Sequence, residues 1–571
     1  MTHVFNDPAV FTEESLAGLV SVHRSLLRQV VGGVVSRGVT KDAKVSVVVG
    51  GGSGHYPMFA GLVGPGLADG AVVGNIFTSP SAQYAYSVGR AADRGAGVVF
   101  CYGNYAGDVM NFGIAIERLR AAGIPATSVI VKDDVLSAPP SEAHKRRGLA
   151  GDFVVLRALA GAAAQGRSFD EVVAAGEAAN ARTRTVGVAF AGCTFPGATH
   201  RLFEVPDGKM AIGLGVHGEP GLELIDAVPS RDLARILFDH VIGDAPEGAG
   251  SRVAVIVNGL GATKAEELFL LWRDLEPLFA ERGLEPVEPE VGEIITSLDM
   301  SGLSLTVCWL DDDLEASWTA PAYGPGYRKG ALAPTVAAAG PDDELDQDGA
   351  DAVPDASPAS RALASVAAGA LETALVAVRA AEETLADADA IAGDGDHGRG
   401  MVRGLEAACR GARDAEASGA GLGTTVGRAG DAWGEHAGGT SGVLWGAALR
   451  AFGARLGDDR VPTAADLADA GAAFVAAVRQ LGRVELGDKS MLDAMAPAAE
   501  AFAAAAVAGD DVPQALARAA EAAEAAARAT SDLTPKVGRA RPLAERSLGH
   551  PDPGALSFAL ILRALAAAAA A

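Results

Sequence analysis

In the first half of the chain, apolar residues fall in short β-branched runs. KVSVVVGG, GAVVGNIF, GVVFCYGNY and TSVIVKDD, between residues 44 and 134, are continuous enough to predict buried parallel strands. Each ends in a loop containing Gly or Asp. A second series follows, with TVGVAFAGC, KMAIGLGVHG, RVAVIVNGLGAT and LSLTVCWLDD ending at residue 312. Helical patterns alternate with these runs, so the first half predicts two successive α/β units that divide near residue 180. Past residue 360 the strands stop. RALASVAAGALETALVAVRAAEETLADADA, TAADLADAGAAFVAAVRQLG, SMLDAMAPAAEAFAAAAVAG and VPQALARAAEAAEAAARATSDL carry Ala and Leu at spacings of three and four, which predicts an all-helical unit of closely packed helices.

Between the halves runs PTVAAAGPDDELDQDGADAVPDASPAS, acidic, punctuated by Pro and poor in large apolar residues. Such a stretch cannot bury enough surface to offset its ordering entropy and predicts a flexible linker. The predicted division is 1–180 and 181–332 for two α/β subdomains, 333–360 for the linker and 361–571 for the helical unit.

Composition narrows the function. At 49% hydrophobic and 21% charged, the 571 residues are globular rather than disordered. Forty-seven basic against seventy-two acidic residues give −25, which repels nucleic acid. Cys101, Cys193, Cys308 and Cys409 are scattered without CxxC spacing and read as buried thiols of a reducing compartment. MTHVFNDPAVFTEE lacks the pattern of a signal peptide, and the apolar C-terminal stretch is interrupted by Arg563. A cytoplasmic protein without a membrane partner is expected.

Three Gly-rich loops follow predicted strands, where ligands collect in parallel sheets. GGGSGHYP (50–57) offers close backbone approach and an acid or base in His55, but neither a nucleophile elbow nor a Walker loop. GNYAGDVMNF (103–112) places Asp108 where it could accept a hydroxyl proton or, equally, cap a helix beginning at Val109. GLGVHGEPG (213–221) satisfies G-x-G-x-x-G, yet Pro220 sits badly with a helix there, and the dinucleotide reading is weak. His217 beside Glu219 is instead a poised imidazole. In the helical half, DADAIAGDGDHGRGM groups Asp389, Asp394 and Asp396, hard oxygen ligands that suit Mg²⁺. HAGGTSGVLWG and GDKSMLDAM are loop-to-helix entries that suit phosphate oxygens, and GRARPLAERSLGHPDPGA carries Arg539, Arg541 and Arg546 and the turn Asp552-Pro553-Gly554. Singly these are turns and caps, and together with the acid cluster they describe a metal–nucleotide pocket.

Together GGSGH, NYAGDVMNF, RRGLAGD, GLGVHGEPG, NGLGAT, SLDMSG, GDGDHGRGM, GGTSG, GDKSMLDAM, ERSLGH and DPGA, in this order along nearly the whole chain, resemble the fused, ATP-dependent dihydroxyacetone kinases. The resemblance implies a ketose-binding half of two α/β subdomains and a helical nucleotide-binding barrel. It implies that His217 adds to the substrate carbonyl as a hemiaminal, that Asp108 is the base, and that His55 assists. Gly52, Ser53, Gly54, Gly103 and Tyr56 would line the ketose pocket. Asp389, Asp394 and Asp396 would hold two Mg²⁺ ions. Gly395, His397, Thr440, Ser441, Gly482, Ser490, Met491, Arg539, Asp552, Pro553 and Gly554 would, with Asp394 and Asp396, contact ATP. A homodimer is also implied.

The chain departs from that pattern in the substrate loops. Gly103 stands where members using dihydroxyacetone usually have Lys, Tyr56 where they have an acid, and Phe59 where they have His. These changes point to a longer ketose such as erythrulose, with dihydroxyacetone as the alternative. A non-catalytic ketose sensor and an FAD-AMP lyase are the readings from other classes.

Overall fold

The computed structural model describes residues 3–38, 43–219, 221–331, 353–393, 395–437, 439–538, 541 and 544–570. The chain forms two compact units, Met1–Gln347 and Asp348–Ala571.

Among its described residues the first unit holds two large sheets and a short two-stranded ribbon, Ala322–Tyr323 with Arg328–Lys329. Strands β1 (Leu27–Val30), β2 (Gly33–Ser36), β3 (Lys44–Ser53), β4 (Gly70–Ile76), β5 (Gly95–Gly103) and β6 (Ala126–Val131) form one sheet in the order β1-β2-β4-β3-β5-β6. The four runs predicted as strands, β3 to β6, pair in parallel, and β1 and β2 add an antiparallel hairpin at one edge. That hairpin is too short to show a period in the sequence. Val47, Val49, Val99, Cys101, Val129 and Val131 bury one face, and Val48, Val72, Val98 and Phe100 the other, which is why these runs do not alternate.

The second sheet is built from β7 (Thr183–Ala191), β8 (Lys209–Ile212), β9 (Glu223–Asp226), β10 (Arg252–Gly259), β11 (Glu285–Pro286), β12 (Glu290–Gly292) and β13 (Ser301–Trp309). Its order is β11-β10-β13-β7-β8-β9, with β12 also on β10. Here β10, β13, β7, β8 and β9 are successively antiparallel. The run KMAIGLGVHG stops being a strand at Ile212, because Gly213 turns the chain with φ +78 into a loop that returns as β9. His217 therefore sits in a hairpin connection, not beyond the end of a parallel strand.

Helices α1 (Phe11–Val22), α2 (Ala82–Ala92), α3 (Ala106–Ala121), α4 (Gly151–Ala164) and α5 (Phe169–Arg182) accompany the first sheet. The start of α4 is anchored by Asp133, whose carboxylate accepts from Leu149 N at 2.7 Å and Gly151 N at 2.8 Å. Helices α6 (Ser230–Gly243) and α7 (Ala265–Glu281) accompany the second, and α8 (Asp312–Thr319) packs on α4.

The second unit has helices and no strand among its described residues: α9 (Pro358–Ala380), α10 (Glu382–Ala390), α11 (His397–Ala417), α12 (Leu422–His436), α13 (Gly439–Leu456), α14 (Ala464–Gly482), α15 (Leu492–Ala508), α16 (Val512–Ala529), α17 (Ala544–Ser547) and α18 (Pro553–Ala570). Its first described helix begins at Pro358, because Ser357 caps the Ser360 amide and Pro358 occupies the first turn. Most of the acidic stretch, 332–352, lies outside the described residues. Two helices, Pro358–Ala380 and Pro553–Ala570, are long and apolar enough to cross a membrane by length and composition alone. Within this unit α9 packs on α11 and α18, and α18 packs on α16. All four cysteines are free and buried.

Candidate active site

In the first unit, the loops after β3 and β8 bring two imidazoles together. His55, 3% exposed, and His217 face each other through Nε2 atoms 3.1 Å apart. The outer nitrogens are fixed as well. His55 Nδ1 lies 2.7 Å from the Thr296 carbonyl oxygen, and His217 Nδ1 lies 2.9 Å from Glu219 Oε1. Both outer partners are acceptors, so each Nδ1 carries its proton and donates. The central Nε2 pair then needs one further proton to be a hydrogen bond rather than two opposed lone pairs. The chain Glu219–His217–His55–Thr296 thus has room for one shared proton, with the Glu219 carboxylate as its counter-charge.

The surroundings restrict where charge can rest. Burial, then the neighbouring His217, push the His55 pKa down to about 3, so His55 is a poor resting place for a charge. Burial alone would raise the Glu219 carboxyl, but His217 and Arg147 overcome it and hold the group well below the usual range. Arg147 is itself held by Asp134 at 2.9 Å and donates to the Gly213 carbonyl at 3.1 Å, which ties the hairpin loop to the end of the first sheet. Phe77 stacks on His55 at 5.0 Å and meets the His217 ring edgewise at 5.1 Å, while Tyr105 meets His217 at 4.8 Å.

Asp108 lies in the first turn of α3, which starts at Ala106 behind Tyr105, so the carboxyl does not cap the helix. It is 8% exposed, and its Oδ1 has no hydrogen-bond partner. Burial raises its pKa to about 6 against the lowering influence of Ser79 and His217. With that pKa the group is a carboxylate near neutral pH and can take a proton from a hydroxyl.

The expected lining residues are not equivalent. The Ser53 hydroxyl is used within the fold, on the Gly74 carbonyl and Thr12, both at 2.8 Å. Gly52 and Gly54 let Phe77 close in: a Cβ on Gly52 would meet Thr78 N at 2.6 Å, and one on Gly54 the Phe77 ring at 2.9 Å. Phe59 is buried over Gly51, 6.5 Å from the His55 ring. Tyr56 is half exposed and packs against Gly61. Gly103 ends β5 beside the Tyr105 ring. Phe77, Tyr105, Arg147 and Thr296 escape sequence reasoning. Phe77, Tyr105 and Arg147 lie inside GAVVGNIF, NYAGDVMNF and RRGLAGD and Thr296 just before SLDMSG, but no local signal marks their places in the site.

In the helical unit, Asp389 at the end of α10 accepts from Gly395 N at 2.9 Å, and Asp396 precedes α11 with its side chain exposed and not engaged as a cap. Asp394 lies outside the described residues, as does Arg539. Among the described residues no three His, Cys, Asp or Glu side chains form a metal-holding group. The acidic residues of the motif are hard oxygen donors, which fits a hard cation, and the neighbouring His397 is engaged elsewhere, its Nε2 lying 2.9 Å from the Ser557 hydroxyl.

Asp552 heads α18, accepting from Ala555 N at 2.8 Å. Burial raises its pKa to about 7; the Ala555 hydrogen bond opposes this, and the nearby Asp493, Lys489 and Asp389 also act on it. The acidic loop, the GDKSM turn and the DPG turn (Asp552, Pro553, Gly554) therefore gather in one place. Met491 and Gly554 meet there, the Met491 Cβ lying 3.2 Å from where a Cβ on Gly554 would be. Ser490 donates its backbone amide to Asp493 at 2.8 Å. Thr440 and Ser441 open α13, and Gly482 closes α14; no described contact ties them to the carboxylates. Arg403 reaches from α11 to the Ala437 carbonyl at 3.4 Å and lies near Asp396; the motif reading did not single it out.

Comparison with known proteins accords with both halves. Residues 17–326 match the Dak1 domain and 391–567 the DAK2 domain. The chain is 52% identical to D-erythrulose kinase of Mycolicibacterium smegmatis, over 99% of this chain and 98% of that one. It is 48% identical to L-erythrulose kinase of Pectobacterium atrosepticum, over 99% and 96%. The dihydroxyacetone kinase of C. freundii, solved with AMP-PNP and Mg²⁺, is similar at 27% identity and a TM-score of 0.53, covering 99% of each chain. With both domain models in sequence and full-length relatives of this identity, the chain belongs to the fused dihydroxyacetone kinase family.

Proposed function

We propose that the protein is an ATP-dependent kinase that phosphorylates a terminal hydroxyl of a short ketose, with a four-carbon ketose, erythrulose, as its substrate. The observation that carries this is the His55–His217 pair fixed between Thr296 and Glu219, close to the buried carboxyl of Asp108. The erythrulose kinases at about half identity over the full chain support the four-carbon substrate.

The geometry supports the following sequence. The His217 Nε2 lone pair adds to the ketose carbonyl carbon, and the carbonyl oxygen takes the proton shared with His55, giving a hemiaminal. The substituted imidazole keeps its Nδ1 proton and is a cation, which the Glu219 carboxylate neutralises. A polyol has no carbonyl and is not held. Asp108 then accepts the proton of the terminal hydroxyl as its oxygen bonds the γ-phosphorus of ATP and the bond to ADP breaks. In the helical unit Asp389, Asp394 and Asp396 would hold two Mg²⁺ ions, which when bound neutralise phosphate charge. The N-terminus of α13 and the Ser490–Met491 and Asp552–Gly554 turns would seat the nucleotide. Family resemblance also supports a cytoplasmic homodimer, which light scattering on the purified protein checks by mass.

The test is ADP release from Mg-ATP with dihydroxyacetone, both erythrulose enantiomers, glycerol and erythritol. Turnover with ketoses alone is expected. Comparable rates with the polyols would remove the hemiaminal step.

A further inference from the structure

Two carboxyl oxygens near the ketose site are fully buried without a hydrogen-bond partner, Asp108 Oδ1 and Asp152 Oδ1. The first belongs to the proposed base. The second has no part in the chemistry above. Asp152 is the second residue of α4 and is 4% exposed. It is not needed to cap that helix, because Asp133 already takes the Leu149 and Gly151 amides. Buried polar atoms in folded proteins are almost always paired, and an orphan beside a binding site is most simply completed by the ligand.

The direction of the side chain points the same way. A Cβ on Gly148 would lie 2.5 Å from Gly103 Cα and 3.1 Å from Asp152 Oδ1, so the carboxyl rests against the seam where these two bare backbones meet. Tyr105 lies along the same seam. Its ring is 2.9 Å from where a Gly103 Cβ would be, its hydroxyl donates to the Gly148 carbonyl at 2.9 Å, and it packs on the His217 ring at 4.8 Å. Asp152, Gly148, Gly103, Tyr105 and His217 are thus contiguous. Burial, with the charges of Asp133 and Asp108, pushes the Asp152 carboxyl well up, toward the neutral acid. A neutral carboxyl both donates and accepts, as a hydroxyl does.

We propose, on the basis of the ketose kinase reading above, that Asp152 and the Gly103–Gly148 seam form the subsite for the hydroxyl that a four-carbon ketose has and a three-carbon ketose lacks. Asp152 then sets the preference for chain length, while His217 holds any ketose by its carbonyl.

The experiment compares erythrulose with dihydroxyacetone in the full chain and in Asp152→Ala and Asp152→Asn. Two readouts are used: kcat/KM for ADP release, and the intact mass of the ketose adduct on the protein without ATP. Asp152→Ala should raise the erythrulose KM by about tenfold or more and leave that for dihydroxyacetone within about twofold, a change in selectivity and not in overall rate. The isosteric Asp152→Asn should move the ratio in the same direction by less, and decides the matter alone if the Ala variant does not fold. An unchanged ratio, whether both substrates weaken together or neither does, overturns the subsite. If the unaltered protein turns over neither ketose, the kinase reading fails, and the adduct ratio still decides the role of Asp152.

Discussion

At the level of single residues, the site depends on where protons and charges rest. Glu219 holds His217 through Nδ1 and, in the proposed mechanism, would balance the cation formed when Nε2 is substituted. Glu219→Gln keeps the shape and removes the charge, and should lower kcat/KM for the ketose on the order of 100-fold or more, measured by coupled ADP release. Asp108 gives a pH signature. Its pKa is raised to about 6 by burial, so a base there is lost by protonation as pH falls through 6, and kcat should fall on the acid side with that midpoint. The same shift has a cost in stability. A carboxyl that titrates higher in the folded than in the unfolded chain favours folding while protonated in both, and that advantage is lost as pH rises from about 4 to 6. Asp108→Asn should therefore be inactive yet more stable at pH 7.5, by up to about 3 kcal/mol, with the gain absent near pH 3.5. Thermal melts at the two pH values check it.

At the level of elements, the helical half depends on close backbone approach. A Cβ on Gly398 would come within 2.1 Å of the Glu382 carbonyl, so a glycine there lets the start of α11 lie directly on the start of α10. That contact keeps Asp389 beside Asp396. Gly398→Ala should push the two helices apart, cost about 1–3 kcal/mol in unfolding free energy and weaken Mg-ATP binding, read by denaturant melts and by titration. How far such elements could be read from the sequence depends on how they are made. The strands of the parallel sheet were legible because both faces are buried and the runs are continuous, as in Val45 to Val49. The hairpin β1–β2 was not, because four-residue strands hold no period. The loop at 213–221 read as the sequel of a strand, and its His217 was recognisable; that it turns back as an antiparallel pair with β9 depends on pairing with β7, which no local signal encodes. Likewise the helix after Gly103 begins at Ala106 and not at Val109, which settled that Asp108 is not a cap.

At the level of the whole molecule, the proposed mechanism assigns the ketose to one compact unit and the nucleotide to the other, and that division can be tested. Asp389→Asn with Asp396→Asn should abolish Mg-ATP binding, measured by calorimetry, while the mass of the ketose adduct on His217 is unchanged. His217→Ala should do the reverse. A variant at either place that lost both functions would show that the units do not act separately.

The sequence by itself determined the class of the two halves, the motifs and the residues whose chemistry is intrinsic: an imidazole between glycines, carboxylates in a Gly-broken run, and the glycine at 103. Periodicity and side-chain chemistry are local properties, so they survive without a fold. The tertiary structure decided which groups meet. His55 and His217 are 162 positions apart, and Thr296, which fixes the first, is 241 positions away. Asp152 shows the same limit: its oxygen is left unpaired in a helix start whose Leu149 and Gly151 amides are taken by Asp133, a residue on a different segment. Contacts over such separations are set by sheet order and by the closing of loops over the sheet ends, and these are fixed by the packing of the whole unit.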